Sequence, residues 1–340
     1  MQILENVDIS KMTTLKIGGK VKYFVDVKNL PDLKEVYVRL LSFGLPVVVL
    51  GGGSNTVFPD GVLDISVLKI SILGFEIIKE DHDGAIIAVG AGENWDSLVE
   101  KTVGFGLSGL EPLSAIPGSV GGTPVQNVGA YGQEVKNLIE KVLVFDVSSG
   151  EIISISNEEC KFTYRDSMFK HEGKNKYIIC SVFFVLSKKP PVMPNYPGVK
   201  KYFEEMGKIS PTLKEIRRAI ISIRKEKLPD PSEIPSAGSF FKNPIVSEDI
   251  LKKLKIKFPE IVSFPAVEGK VKLSAGWLID RCELKGLKIN GGISVYEKNA
   301  LVLINSGNAT YADISSARDF VIEKVRQKFG IILEAEPVFV

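Results

Sequence analysis

Two glycine-rich segments without a single charged residue constrain this chain most. The first, Gly51-Gly52-Gly53-Ser54-Asn55-Thr56-Val57-Phe58, follows a short apolar run. The second runs from Ile116-Pro117-Gly118-Ser119-Val120-Gly121-Gly122-Thr123-Pro124 to Asn127-Val128-Gly129-Ala130-Tyr131-Gly132, with five glycines in its last 15 residues. Backbone without side chains can close around an anion and surround it with N–H donors. Ser54, Asn55 and Thr56 add short polar side chains. The first segment is not a dinucleotide fingerprint, because Thr56 stands where that pattern needs Gly or Ala, and no Gly-Lys-Ser/Thr follows it. One such segment reads equally well as a tight turn. Two together suggest a polyphosphate held by backbone amides rather than by lysines.

Composition sets the outer limits. With 340 residues the prior is two domains, perhaps three small ones. Apolar residues at 44% and charged residues at 25% exclude disordered, collagen-like and disulfide-scaffold chains. The net charge of +2 is too even for a nucleic-acid or membrane-surface binder. Cys160, Cys180 and Cys282 form no Cys-x-x-Cys pair, which points to a reducing compartment. His82 and His171 lie far apart and near no cysteine, so no metal is expected. No apolar run approaches the roughly 20 residues that span a bilayer, and the start MQILENVDISK has no leader-like apolar stretch. A cytoplasmic setting is expected.

Hydrophobic periodicity gives α+β elements throughout. Residues 21–27 read as a strand, Pro31 to Gly44 as an amphipathic helix, and 45–51 as a buried parallel strand, together one β-α-β unit. Gly84–Gly92 leads into a helix carrying Trp95, Leu98, Val99 and Thr102. KVLVFDV and EIISIS flank a Ser148-Ser149-Gly150 hairpin turn, and 177–186 is a further apolar strand. The proline-rich stretch 188–198 marks a boundary or an exposed loop. A helix after Pro211 follows, with Leu213, Ile216, Ile220 and Ile223 on one face and a basic opposite face. Further helices are expected near 247–257, 274–284 and 311–329, with a strand pair at 293–305.

Three other segments carry candidate chemistry. In Tyr164-Arg165-Asp166, Arg165 offers a planar fork to a carboxylate; a local pair with Asp166 on a turn is the simpler reading. In Ala237-Gly238-Ser239-Phe240-Phe241-Lys242-Asn243, Ser239 reads as a catalytic hydroxyl with apolar walls or, equally, as a helix cap. In Leu333-Glu334-Ala335-Glu336, a strand would put Glu334 and Glu336 on one face, usually a solvated edge.

In chain order, LGGGSN, VGAGENW, IPGSVGGTPVQNVGAYG, YRDSMFK, KLPDP, AGSFFKNP, KLSAGWLID and ALVLIN resemble the UDP-N-acetylenolpyruvoylglucosamine reductase family over nearly the whole chain. The resemblance implies an FAD-binding domain of the vanillyl-alcohol-oxidase (PCMH) type made of two α+β subdomains, residues 1–70 and 71–195. A C-terminal α+β substrate-binding domain, 196–340, would follow. It implies that FAD is held by Gly51, Gly52, Gly53, Ser54, Asn55, Thr56, Pro117, Gly118, Gly121, Gly122, Thr123, Asn127, Gly129, Ala130, Tyr131 and Arg224. No His or Cys lies in either glycine segment, so the FAD is expected to be non-covalent.

The family's reaction takes a hydride from NADPH and delivers it to an enolpyruvyl ether on a nucleotide sugar. By resemblance, Arg165 stabilises charge developing at the substrate carboxylate, Glu336 polarises the same group, and Ser239 supplies a proton. Tyr164, Tyr196, Lys227, Asn243 and Asn299 match substrate-contacting positions. The chain departs from the pattern at Lys16, where relatives often carry Arg, at Tyr196-Pro197-Gly198, and at Asn299, where relatives often carry Gln or His. It fits the subtype whose tyrosine closes over the nucleotide. Partners are expected to be small molecules only, with a monomeric chain. The rival readings are another flavin oxidoreductase, or a flavin-free nucleotide-sugar transferase.

Overall fold

The computed structural model describes residues 2–267 and 269–340. The chain begins with strand β1 (Leu4–Asp8), β2 (Lys20–Val27), helix α1 (Leu30–Ser42), β3 (Val47–Leu50), β4 (Thr56–Val57), β5 (Val62–Ile70), β6 (Phe75–Glu80), β7 (Gly84–Gly90) and α2 (Trp95–Gly104). Short strands β8 (Gly129–Ala130) and β9 (Gln133–Glu134) precede β10 (Ile139–Asp146), β11 (Glu151–Ser156) and β12 (Tyr177–Ser187). Two helices follow, α3 (Pro197–Glu205) and α4 (Leu213–Lys227), then β13 (Ser236–Ser239), β14 (Ile245–Ser247), α5 (Glu248–Lys257), β15 (Ser263–Pro265) and β16 (Lys270–Leu273). The chain continues through α6 (Ala275–Arg281), β17 (Lys288–Asn290), β18 (Ile293–Val295), β19 (Val302–Asn305), α7 (Tyr311–Phe329) and β20 (Val338–Phe339).

These elements form two compact units. The first takes the chain up to Val7, Val21–Gly53 and Val62–Arg224. It holds a four-stranded sheet ordered β1-β2-β5-β3 and a five-stranded sheet ordered β11-β10-β12-β7-β6. β3 does run parallel to β5, as the apolar run predicts, but it is the edge strand. Val49 is therefore exposed rather than buried. The hairpin at 148–150 forms with Gly150 at φ +70°, and β10 and β11 pair from Asp146↔Glu151 onward. Trp95 is fully buried, stacks obliquely near Phe184, and gives its indole N–H to the Leu113 carbonyl at 2.9 Å. That bond satisfies the one polar atom of a side chain whose burial otherwise favours folding. α3 and α4 share a smaller core of Val199, Phe203, Ile216, Ala219, Ile220 and Ile223.

The second unit is assembled from Asp8–Lys20, Ser54–Gly61 and Lys225–Val340. It holds a sheet ordered β13-β19-β18-β17, a three-stranded sheet β14-β16-β15 and the parallel pair β20-β4. α7 starts at a capping box between Thr310 and Asp313 and stops at Gly330, φ +68°. Its apolar face, Ile314, Ala317, Val321 and Val325, packs with Leu15, Ile17, Phe240 and Phe241 in one core. Each fully buried Phe contributes about 1.5–3 kcal/mol relative to exposure. Among the described residues, no helix is long and apolar enough to cross a membrane.

Candidate active site

In the first unit the two glycine segments meet backbone to backbone. A Cβ on Gly52 would lie 2.8 Å from the Gly118 Cα and 2.9 Å from its carbonyl carbon, so only glycine fits there. Beside this contact, the Ser119 Oγ is buried without a hydrogen-bond partner among the described residues, and a Cβ on Gly51 would approach it to 2.6 Å. Gly52, Gly53 and Ser54 donate no backbone hydrogen bond to other backbone among the described residues. A buried hydroxyl and unspent amides suit a phosphate or polyol oxygen.

The second segment is clamped from below by VGAGENW. Gly121 N–H donates to Ala91 O at 2.9 Å, Val120 N–H to Glu93 O at 2.9 Å, and Trp95 N–H to Gly118 O at 3.1 Å. Pro117 is exposed and Gly122 turns back onto Ser119 O at 3.0 Å. The Thr123 hydroxyl is spent on Val120 O.

Further along, side chains act within the protein. Asn127 is fully buried. Its amide donates to Glu134 Oε2 at 3.0 Å and Thr163 O at 2.8 Å, and its oxygen accepts from Lys136 N–H at 3.1 Å. It therefore fixes the loop with its side chain. Ala130 pairs with Gln133 in the β8–β9 ribbon, and Tyr131 packs edge-on against Tyr196 with ring centroids 5.1 Å apart. Arg224 lies beside the Tyr131 phenol and donates from Nε to Ala115 O at 3.2 Å. Burial pushes the Tyr131 phenol up and the Arg224 guanidinium down from their ordinary values.

Arg165 sits at the tip of a tight turn closed by Thr163 and Asp166, at φ +55°. Its Nη2 donates to the Gly129 carbonyl, and its guanidinium lies 5.2 Å from the Tyr164 ring centroid. On the same turn Asp166 meets His171 Nε2 at 2.7 Å. Arg165, Asn127 and Tyr131 all occupy the left-handed region, a concentration of backbone strain typical of sites held by their surroundings.

The second unit brings Ser239, Glu336 and Asn55 into one neighbourhood. Gly238 at φ +68° makes the irregularity in β13 that precedes Ser239, which pairs with Val302 of β19. Ser239 is half-buried at a strand end and caps no helix. The next residue anchors Glu336, whose N–H donates to Phe240 O at 2.9 Å. Lys242 N–H returns a bond to Glu334 O at 2.8 Å, and the Lys242 ammonium pairs with the Glu334 carboxylate. The expected strand at 333–336 is reduced to a single bridge, Phe241↔Ala335. Glu334 is exposed and Glu336 half-buried.

Asn55 holds this segment from the other side. Its Nδ2 donates to Glu336 O at 3.2 Å, Val338 N–H donates to Asn55 O at 2.9 Å, and Thr56 pairs with Val338. Asn243 Oδ1 accepts from Ala275 N–H at 2.9 Å at the start of α6, and Asn299 Oδ1 accepts from Leu301 N–H at 3.0 Å in the β18–β19 turn. Lys227 is the exposed last residue of α4.

Sequence reasoning missed three residues. Ser119 lay within the quoted glycine segment and was readable as its one central hydroxyl. Asp96 and Arg217 form a bidentate pair at 2.6 and 3.0 Å across 121 residues, which no local pattern signals.

This combination of an amide-lined glycine cradle and α+β sheets belongs to flavoproteins with an FAD-binding domain of the vanillyl-alcohol-oxidase type. Residues 21–156 match the profile described as "FAD binding domain", and residues 230–340 the profile "UDP-N-acetylenolpyruvoylglucosamine reductase, C-terminal domain". Proteins named UDP-N-acetylenolpyruvoylglucosamine reductase are similar over 99% of both chains, at 43% identity from Bdellovibrio bacteriovorus and 39% from Chromobacterium violaceum. The crystal structure of the reductase from Thermus caldophilus aligns with a TM-score of 0.67 at 26% identity, covering 99% of this chain and 98% of that one. A p-cresol methylhydroxylase structure shares the fold at a TM-score of 0.50 and 12% identity, covering 96% and 83%. The chain belongs to the UDP-N-acetylenolpyruvoylglucosamine reductase family.

Proposed function

We propose that this chain catalyses the NADPH-dependent, FAD-mediated reduction of UDP-N-acetylglucosamine enolpyruvate to UDP-N-acetylmuramate in peptidoglycan synthesis. One observation supports it most: Gly52 against Gly118, beside the buried unpartnered Ser119 Oγ, forms a cradle that suits the FAD pyrophosphate. Non-covalent FAD would be held by backbone of 51–56 and 117–131, with Arg224 nearby. When bound, FAD supplies hydride chemistry between the nicotinamide and the enolpyruvyl group.

The remaining roles fall to side chains of this chain. Arg165, fixed by Gly129, presents a cationic fork where negative charge grows on the substrate carboxylate, and such charge is stabilised more in the transition state than in the ground state. Glu336 polarises that group. Ser239 delivers the proton to the adjacent carbon. Tyr164, Tyr196, Lys227, Asn243 and Asn299 contact the substrate or its diphosphate. In this reading 1–70 and 71–195 are the FAD subdomains and 196–340 the substrate domain. The enzyme works as a cytoplasmic monomer on small molecules.

The test is an anaerobic visible spectrum with NADPH added first and the enolpyruvyl substrate second. Bleaching followed by return of the yellow colour is expected. Bleaching without recovery makes it a different flavin oxidoreductase, and protein that stays colourless with added FAD removes the flavin reading.

A further inference from the structure

We infer that Asp96 and Arg217 are positioning residues that lock the peptide at Ala115 and thereby preset the second glycine segment for its pyrophosphate. The inference rests on the FAD reading above. Ala115 lies at φ +58°, a left-handed conformation unfavourable for a residue with a Cβ. Both of its peptide groups are gripped. Its N–H donates to Asp96 Oδ1 at 2.5 Å, and its carbonyl accepts from Arg224 Nε at 3.2 Å.

Asp96 is itself held. Arg217 Nη1 donates to Oδ1 at 2.6 Å and Nη2 to Oδ2 at 3.0 Å, a bidentate fork on a buried arginine. Burial alone would raise the Asp96 carboxyl, but the Arg217 and Ala115 donors outweigh it and hold it low. Arg217 and Arg224 are seven residues apart on α4 and so share a helix face. That face grips Ala115 on both sides, Arg217 through Asp96 at its N–H and Arg224 directly at its carbonyl. Asp96 lies in the first turn of α2, where Trp95 N–H also binds Gly118 O. The four-residue span from Ala115 to Gly118, the residue whose backbone meets Gly52, is therefore anchored at both ends to one helix start.

The test measures the FAD dissociation constant and the apo-protein melting temperature for the parent, Arg217→Met, Asp96→Asn, and Arg217→Met combined with Ala115→Gly. Arg217→Met is expected to weaken FAD about tenfold. Asp96→Asn, which keeps an oxygen acceptor for the Ala115 N–H, should weaken it less. Glycine adopts a positive φ without penalty, so adding Ala115→Gly should recover about threefold of the loss, although it removes only a methyl group and restores none of the Arg217 contacts. Faster amide exchange at Ala115 in apo Arg217→Met is also expected. Parent affinity in both single variants overturns the inference, as does a loss that Ala115→Gly leaves unrelieved. If Arg217→Met does not fold, Asp96→Asn decides by the same two readouts. A parent protein that binds no FAD overturns the functional reading as well, whereas altered loop exchange without altered affinity overturns this inference alone.

Discussion

The neighbourhoods of Gly52 and Ser239 are built in opposite ways. Around Gly52 and Gly118 the first unit uses bare backbone, and the side chains beside it are spent on holding that backbone: Asn127 on Glu134 and Thr163, Arg224 on Ala115. Around Ser239 the second unit uses side chains, and its backbone bonds serve to place them: Phe240 fixes Glu336, and Asn55 holds Glu336 from the far side. In the first region adding atoms does the damage. In the second, removing them does.

Four substitutions sharpen or break that contrast. The largest effect belongs to Ser239→Ala. Loss of a positioned proton donor costs about 10²–10⁴-fold, so reoxidation of the reduced flavin by substrate should slow by that much in stopped flow, while FAD content and reduction by NADPH stay at parent levels. A mutant that reoxidises at the parent rate makes Ser239 structural. Next is Gly52→Ala. Its Cβ would strike Gly118 backbone that cannot swing aside, and overpacking of this kind costs about 1–3 kcal/mol, roughly five- to 150-fold in FAD affinity. Fluorescence titration that finds unchanged affinity would dissolve the distinction between the units.

Gly238→Ala follows. A Cβ there meets nothing within 4 Å, so the cost is only the left-handed backbone at φ +68°, about 1–2 kcal/mol in thermal unfolding. A larger loss would mean that this glycine, too, marks a close approach. The smallest effect concerns Glu215, which accepts from Lys208 Nζ at 2.6 Å and from Thr212 N–H at 2.7 Å at the start of α4. The Lys208 donor first, then Thr212, bring its carboxyl down to about 2. A carboxylate depressed in the folded state stabilises it above the ordinary value of 4.5 and loses that contribution as pH falls toward about 2. Melting profiles of Glu215→Gln should therefore lie below the parent at neutral pH and converge with it in that acid window.

Much of this was legible in the sequence where the signal is local. The helices α1, α2, α4 and α7 and the 148–150 hairpin follow from periodicity, caps and turn residues within a few positions. β3 misled because an apolar run reports strand, not whether a neighbour covers both faces; Val49 is at the edge. The alternation at Glu334–Glu336 suggests a strand, yet Pro337 and a single partner stretch leave one bridge. Arg217, one of the basic residues of α4, is buried. Its partner Asp96 lies in another helix, and spacing rules have no reach over such a distance. The glycine segments were readable as a cradle because their chemistry needs no distant side chain.

The pairing of Thr56–Val57 with Val338–Phe339 has a consequence for the order of assembly. The bond from Asn55 to Glu336 spans 281 residues, and Val340 N–H still reaches Val57 O. On a ribosome, strand β4 emerges long before its partner β20 and must wait unpaired while almost the entire chain between them is made. Contacts of such separation carry loop-closure cost before they return any stabilisation. The neighbourhood of Ser239 and Glu336 is thus among the last features of the molecule to form. Protein sampled during synthesis should close its first unit well before the bonds around Ser239 and Glu336 form in its second.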